Sequence, residues 1–327
     1  MASSDNRESY VILIPVFDDW DSLRLLVPLL DSELARAGLH ARLLVIDDGS
    51  QVVAADLIAS PLAALAVVDI LRLHRNVGHQ RAIAIGLAHV AENEQCAGVV
   101  VMDSDGEDRP SDVPLLIDAL NRAEMTRAIF AKRARRSEGI GFRMSYWLFR
   151  LLHEVLTGIR VEVGNFSALP LGMVRRLATV SELWNHYAAA VVQARLPREL
   201  VPMDRGVRLA GESRMNFVAL VTHGLSAISV FADRIGVRLL VASTALGAGA
   251  LIVAVGVLAV RFGTSLALPA WATSAMGFLI LLLAQAMILS LMFTLFVQLG
   301  RSTGPFLPAR DYRHFVGSVH RIYAVDA

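Results

Sequence analysis

Cysteine and lysine are nearly missing from this chain: its 327 residues contain one of each, Cys96 and Lys132. A single thiol excludes an internal disulfide framework and any multi-cysteine zinc site. With one lysine, almost all the positive charge is arginine, whose planar fork suits bidentate contact with phosphate. No excess of charge exists either. The formal net charge is +1, against the basic surplus of a dedicated nucleic-acid binder. The N-terminal stretch carries Asp5, Arg7 and Glu8 before Tyr10 and shows no apolar signal-peptide core. His153–Glu154 is not a zinc-protease motif, because no second histidine follows at the required spacing.

Charge as a whole is scarce, at 19% of residues where soluble domains carry about a quarter. The deficit is local. From Leu239 to Leu299 the only charged residue is Arg261, while the rest of the chain is ordinary. Leu239 to Val260 and Ala272 to Leu299 are each long enough to cross a hydrocarbon core of ~30 Å as a helix. Two buried core helices of a soluble protein remain the alternative. Gly247, Gly249 and Gly256 in the first span point to close helix packing. The short link between the spans makes a hairpin, so both termini fall on one side. Arg234 and Arg238 precede it, and Arg301, Arg310, Arg313 and Arg321 follow it. The positive-inside rule then puts the large domain and both termini in the cytoplasm of an integral membrane protein. Just before the first span, Phe217, Leu220, Val221, Leu225, Ile228 and Phe231 recur at spacings of three and four. That is an amphipathic helix, read either as lying on the bilayer or as a core helix of the soluble domain.

Before residue 130, short apolar runs alternate with helical stretches. Tyr10–Val16, Leu43–Ile46, Val68–Leu73, Val99–Met102 and Ala128–Ala131 read as buried strands. Ser22–Ala37, Gln80–Ala91 and Val113–Ala123 read as the helices between them. This pattern predicts an α/β domain with a mostly parallel sheet covered on both faces, and ligands beyond the carboxyl ends of its strands. Polar clusters fall there: Asp18–Asp19, then Asp47–Asp48–Gly49–Ser50, then Arg75–Asn76–Val77–Gly78, then Asp103–Ser104–Asp105. Singly each is weak; Asp48–Gly49–Ser50 is equally a turn with a helix N-cap. Asp103 and Asp105, with Glu107 behind, emerge from a continuous apolar run and can hold a hard divalent cation while leaving room for diphosphate oxygens.

In this order, Ile14–Pro15–Val16–Phe17, Val45–Ile46–Asp47–Asp48–Gly49–Ser50, Arg75–Asn76–Val77–Gly78–His79–Gln80–Arg81 and Met102–Asp103–Ser104–Asp105–Gly106–Glu107–Asp108 resemble the family 2 glycosyltransferases of the GT-A fold. Gly164–Asn165–Phe166–Ser167, Arg208–Leu209–Ala210–Gly211–Glu212–Ser213–Arg214 and the terminal hairpin look like the polyprenyl-phosphate glycosyltransferases among them. The resemblance implies a GT-A, Rossmann-like domain over residues 1–212. It implies an interfacial helix over 213–236, spans over 237–262 and 272–299, and a cytoplasmic tail over 300–327. It further implies that Pro15, Phe17, Asp19, Asp47 and Ser50, with Asn76 and Ser104, surround the nucleotide. Asp103 and Asp105 would be the DxD pair for Mg²⁺ or Mn²⁺, with Glu107 where relatives carry glutamine.

The implied reaction moves a hexose, with UDP-hexose the preferred donor, to polyprenyl phosphate at the membrane of a bacterial cell. The acceptor is already an anion near neutral pH and needs positioning more than a general base. Arg133, Arg136 and Arg143, with Arg208 and Ser213, are the expected acceptor-phosphate groups; Arg133 and Arg143 stand with Asp103 and Asp105 as catalytic candidates. Arg135 and Arg136 read equally as a lipid-headgroup patch. Attack at the anomeric carbon in one step inverts it. Trp184, His186 and Tyr187 either touch the sugar or pack. A processive polysaccharide synthase is disfavoured by two spans and the lack of a Gln-x-x-Arg-Trp motif. A non-catalytic scaffold is disfavoured by the intact carboxylates. Self-association stays open.

Overall fold

The computed structural model describes residues 9–52, 57–133, 151–159, 163–211, 217–264, 270–302 and 306–325. They fall into two units. One draws on Met1–Met144, Glu162–Val230 and Phe306–Ala327, the other on Ser145–Val161 and Phe231–Pro305.

The first unit is an eight-stranded sheet. Its strands are β1 (Tyr10–Val16), β2 (Ala41–Asp47), β3 (Leu65–Leu73), β4 (Gly98–Val101), β5 (Ala128–Arg133), β6 (Ser167–Pro170), β7 (Arg198–Met203) and β8 (Val316–Ala324). Their order is β7-β5-β6-β4-β1-β2-β3-β8. The β4–β1–β2–β3 core is parallel, whereas β6 runs antiparallel between β4 and β5, and β8 antiparallel along β3. Strand alternation sends β1 residues to two cores. Val11 and Leu13 pack with α2 (His79–Asn93), α4 (Leu171–Ala178) and α5 (Tyr187–Gln193). Ile12 and Ile14 pack with α1 (Trp20–Arg36) and α3 (Val113–Arg122). With both faces covered, the central strand is apolar throughout: every β1 residue is buried.

The expected strands and helices of the first 130 residues are present, with shifts of a few residues at their ends. The C-terminal stretch differs from the expected tail. After a turn at Pro308–Asp311 it forms β8, which finishes the sheet. Arg321 Nε donates to Asp69 of β3 at 2.9 Å, and Tyr323 Oη accepts the Leu62 N–H at 2.9 Å. Tyr312 Oη donates to Glu92 of α2 at 2.6 Å. The α6 helix (Phe217–Ser229) corresponds to the amphipathic segment.

The second unit holds α7 (Ala232–Gly263) and α8 (Ala270–Ser302), two helices long and apolar enough to cross a membrane. At 1.5 Å per residue, α7 spans about 48 Å, so its charged first turns with Asp233, Arg234 and Arg238 extend beyond the apolar stretch. The first span therefore begins as a helix before residue 237. Its packing seam is also not the expected one. Ile235, Gly236, Ser243, Ala250 and Ala254 are the buried positions, and a Cβ on Gly236 would lie 2.8 Å from Thr294 Oγ1 of α8. Around Gly247, Gly249 and Gly256 there is open space, because they lie off the stripe that repeats every seven residues.

Candidate active site

The four expected polar clusters meet at the carboxyl end of the sheet because their strands are neighbours in it. The first two interlock. The Ser50 N–H donates to Asp47 Oδ1 at 2.8 Å, Ser50 Oγ accepts the Asp18 N–H at 2.9 Å, and the Gln51 N–H donates to Asp18 Oδ1 at 2.9 Å. Asp18 takes φ +48, which this exchange holds in place. Gly49 has φ +76, and a Cβ there would sit 2.6 Å from the backbone of Arg75 and Asn76, so the second and third clusters touch main chain to main chain. Pro15 pairs with Ile46 in the β1–β2 register, Phe17 is 39% exposed beyond it, and the Asn76 side is exposed. These leave an apolar ring and open backbone next to buried Asp47.

Asp48 has a part that its position beside Asp47 did not announce. Its two oxygens accept the N–H groups of Val77 and Gly78 at 2.7 and 2.9 Å, fixing the third loop. Burial pushes its carboxyl up to about 6 against those two hydrogen bonds, which favour the ionised form.

The DxD segment is tied down from behind. The Asp103 N–H donates to buried Asp108 Oδ2 at 3.0 Å, and the Glu107 N–H to Asp105 Oδ1 at 2.9 Å. Ser104 between them is buried. A loop before residue 211 covers it: the Leu209 N–H donates to Asp105 O at 2.9 Å and the Gly206 N–H to Glu107 O at 2.8 Å. Arg208 is the centre of that loop. Its guanidinium donates to Asp105 Oδ2 at 3.1 Å and to Asp19 Oδ2 at 2.5 Å, while Nε holds Ala210 O at 2.9 Å. Ser22 Oγ donates to Asp19 Oδ1 at 2.8 Å. Arg208 thus joins the first cluster to the fourth. Burial, then the charges of Asp103 and Glu107, hold the Asp105 carboxyl above the usual carboxylate range; the Glu107 N–H and Arg208 act the other way.

On the other side of Asp103 stands His79, with Nε2 3.2 Å from Asp103 Oδ1. Burial disfavours its charge, but Asp103, Asp108 and Asp48 outweigh that and raise its pKa above the imidazole norm. Asn165 Nδ2 lies 3.0 Å from His79 Nε2, and Asn165 Oδ1 accepts from Gln80 Nε2 at 3.1 Å. Gln80 Oε1 accepts the Tyr187 N–H at 2.8 Å, and Tyr187 Oη meets Ser167 Oγ at 2.6 Å in the core. Tyr187 therefore packs. So does Trp184, whose ring lies 3.9 Å from Phe306 and 5.0 Å from Phe315, with Arg81 over it.

The carboxylates fit a hard divalent cation only in part. Asp103 and Asp105 supply hard oxygen donors at one strand tip, the type that suits Mg²⁺ or Mn²⁺, but the Glu107 N–H and Arg208 already engage both oxygens of Asp105. Glu107 does not join them; Arg205 Nε donates to its Oε2 at 2.8 Å and draws it to the covering loop. Among the described residues, no three His, Cys, Asp or Glu side chains converge as a metal centre. Of the expected acceptor-phosphate groups, Arg133 ends β5, Arg208 pairs as above, and Arg136, Arg143 and Ser213 lie outside the described residues.

A mostly parallel sheet with one antiparallel strand inserted beside β4, and carboxylates at its tip, defines the class of GT-A glycosyltransferase folds. The fold is shared with mannosyl-3-phosphoglycerate synthase from Rubrobacter xylanophilus at a TM-score of 0.50 and 15% identity, covering 70% of this chain and 74% of that one. Residues 11–177, about half of the chain, match the model of glycosyl transferase family 2, and the chain belongs to that family. It is similar to undecaprenyl-phosphate 4-deoxy-4-formamido-L-arabinose transferases. One from Klebsiella pneumoniae (strain 342) is 25% identical over 221 residues, and one from Salmonella paratyphi B (strain ATCC BAA-1250 / SPB7) is 26% identical over 218. Each alignment covers 64% of this chain and 63% of the relative, so the chain spans under two thirds of their length.

Proposed function

We propose that this protein transfers a sugar from a nucleotide sugar to the phosphate of a membrane-held polyprenyl phosphate, inverting the anomeric carbon. One observation carries the reading: Arg208 ties Asp19 of the first cluster to Asp105 of the fourth, so the polar strand ends form one continuous site. The similarity to undecaprenyl-phosphate transferases and the two apolar helices support a lipid acceptor.

In this reading Phe17 and Pro15 flank the base, and Asp47, Asp19 and the Ser50 turn hold the ribose side. Asn76 and Ser104 complete the nucleotide wall. A divalent cation held by Asp103 and Asp105 would neutralise the leaving diphosphate. Asp108 keeps the Asp103 backbone in place, and Asp48 keeps the third loop from collapsing into the nucleotide site. Arg133, Arg136, Arg143 and Ser213 orient the acceptor phosphate, whose own charge makes a general base unnecessary. The catalytic domain and both hairpin ends face the cytoplasm, in accord with the arginines on either side of the spans.

The test is direct. Full-length protein in lipid nanodiscs is incubated with polyprenyl phosphate, Mg²⁺ or Mn²⁺, and a panel of donors. The panel includes UDP-hexoses, GDP-mannose and the UDP form of 4-deoxy-4-formamido-L-arabinose, and the lipid product is weighed by mass spectrometry. A glycosylated lipid phosphate from a UDP-hexose is the expected result. Donor turnover with no lipid product would overturn the lipid acceptor, and product from the pentose donor alone would overturn the hexose.

A further inference from the structure

The amphipathic helix α6 turns one imidazole inward. His223 is half-buried, and its Nε2 lies 3.3 Å from Nε2 of buried His186, the rings 4.7 Å apart. The hydrogen-bond chain fixes the protons. The Ala189 N–H points at His186 Nδ1, at 3.4 Å across the start of α5, so that nitrogen is the acceptor. The neutral His186 ring then carries its proton on Nε2 and donates to His223 Nε2. His223 must carry its own proton on Nδ1. No hydrogen bond from His223 Nδ1 forms among the described residues. Burial, then the charge of His79, keeps His223 from charging, and Asp103 is near enough to act in the opposite sense.

His223 is thus a neutral, oriented N–H donor, linked to Asp103 through His79, Asn165, Gln80 and the Tyr187 N–H next to His186, on a helix whose outer face is apolar. Val218, Val221 and Leu225 are 70%, 43% and 59% exposed there, and the next helix begins at Ala232, at the start of the membrane hairpin. A phosphate anchored in lipid arrives at headgroup depth, where such a helix lies. Resting on the transfer proposed above, we propose that His223 donates its Nδ1–H to the phosphate of the polyprenyl acceptor, with His186 as the positioning residue that fixes its tautomer. An uncharged donor suits this place, since it holds an anion without pairing permanently with Asp103.

The two amide isosteres separate this role from a structural one. Asparagine places an N–H where Nδ1 stands; glutamine places its amide where Nε2 stands and still meets His186. With full-length protein in nanodiscs, His223→Asn is expected to keep the KM for polyprenyl phosphate within about threefold. His223→Gln is expected to raise it about tenfold or more, the size of one lost hydrogen bond to a charged group, with the donor KM unchanged. A short-chain isoprenyl phosphate shows the same shift, because the ring holds the phosphate and not the tail. His186→Gln stays near the unsubstituted protein, and His186→Leu, which frees the tautomer, raises the acceptor KM. Equal behaviour of the Asn and Gln variants, or a change confined to the donor KM, overturns the assignment while the transfer reading stands. Loss of nucleotide binding in His223→Gln, with His186→Leu unchanged from the parent, assigns the pair to folding and overturns it too. Absence of any lipid product from the unsubstituted protein overturns both readings together.

Discussion

In the sheet unit Ile12, Leu13, Ile14, Leu23, Leu26 and Leu30 are fully buried; in the hairpin Leu246, Leu251, Ile252, Leu282 and Phe296 are each between 61% and 72% exposed. The polar groups are handled in reverse. At the strand ends nearly every carboxylate meets a backbone N–H or a guanidinium, as with Asp47, Asp48, Asp105 and Asp108. In the hairpin the hydroxyls of Ser243, Ser290 and Thr294 return to carbonyls of their own helices. One unit excludes water from its interior and presents organised charge at one edge. The other satisfies its backbone internally and offers an apolar surface, as lipid requires of a spanning helix. The difference teaches that one chain builds for two environments, an organised polar edge for water and an apolar surface for lipid.

The largest effect is expected at the charged edge. Asp105→Asn should lower sugar transfer by about 10²–10³-fold, the usual cost of one electrostatic group in a transition state, while leaving membrane insertion untouched. Transfer assays beside a membrane-extraction assay check both halves; retained activity would break the assignment of Asp105. Next, Leu282→Arg places a charge on the outward face of α8 and should cost about 2.5–3.5 kcal/mol of insertion free energy near the bilayer centre. Nucleotide affinity should be unaltered. Insertion measured against a calibrated reporter segment tests this, and a hairpin indifferent to the arginine would be no membrane hairpin.

A smaller effect follows from Asp48. Its folded pKa of about 6 lies above the unfolded 3.8, so between those values the folded state binds the proton more tightly. This group's contribution to stability therefore rises as pH falls through 6 and is complete below 4; above 6 its ionisation costs at most about 3 kcal/mol. Denaturant titrations of the protein and of Asp48→Asn at pH 4.5 and 7 should diverge with that sign, and parallel slopes would refute it. The smallest effect is Tyr323→Phe, which removes the acceptor of the Leu62 N–H and should cost about 1 kcal/mol in the same titration.

The parallel core was legible because β1 and β4 are unbroken apolar runs and β2 carries one over Leu43–Ile46, of strand length and bounded by polar turn residues. The later strands were not. β6 is four residues, Ser-Ala-Leu-Pro, and β7 is an edge strand with exposed Arg198 and Glu199. Neither carries a periodic signal of its own; each is a strand because a neighbour supplies the ladder. The site divides in the same way. Clusters that follow strands announced themselves, whereas the pairing of Arg208 with Asp105 and Asp19 links residues 103 and 189 positions apart. His223 was hidden because on a helix wheel it falls among polar residues, and only the fold shows which of them turns inward.

The edge strand β8 has a consequence for how the protein is made. It pairs with β3 although Asp69 and Arg321, which join them, are 252 residues apart, and both hydrophobic helices are translated in between. Until they have been made, β3 waits with an open edge, a template that any passing strand could use. Both ends of the hairpin return to one sheet, so an insertion that left them on opposite sides could never close it. A finished sheet therefore requires the two ends of the helix pair to lie on one side of whatever the helices cross, and a chain that separates them keeps the exposed β3 edge.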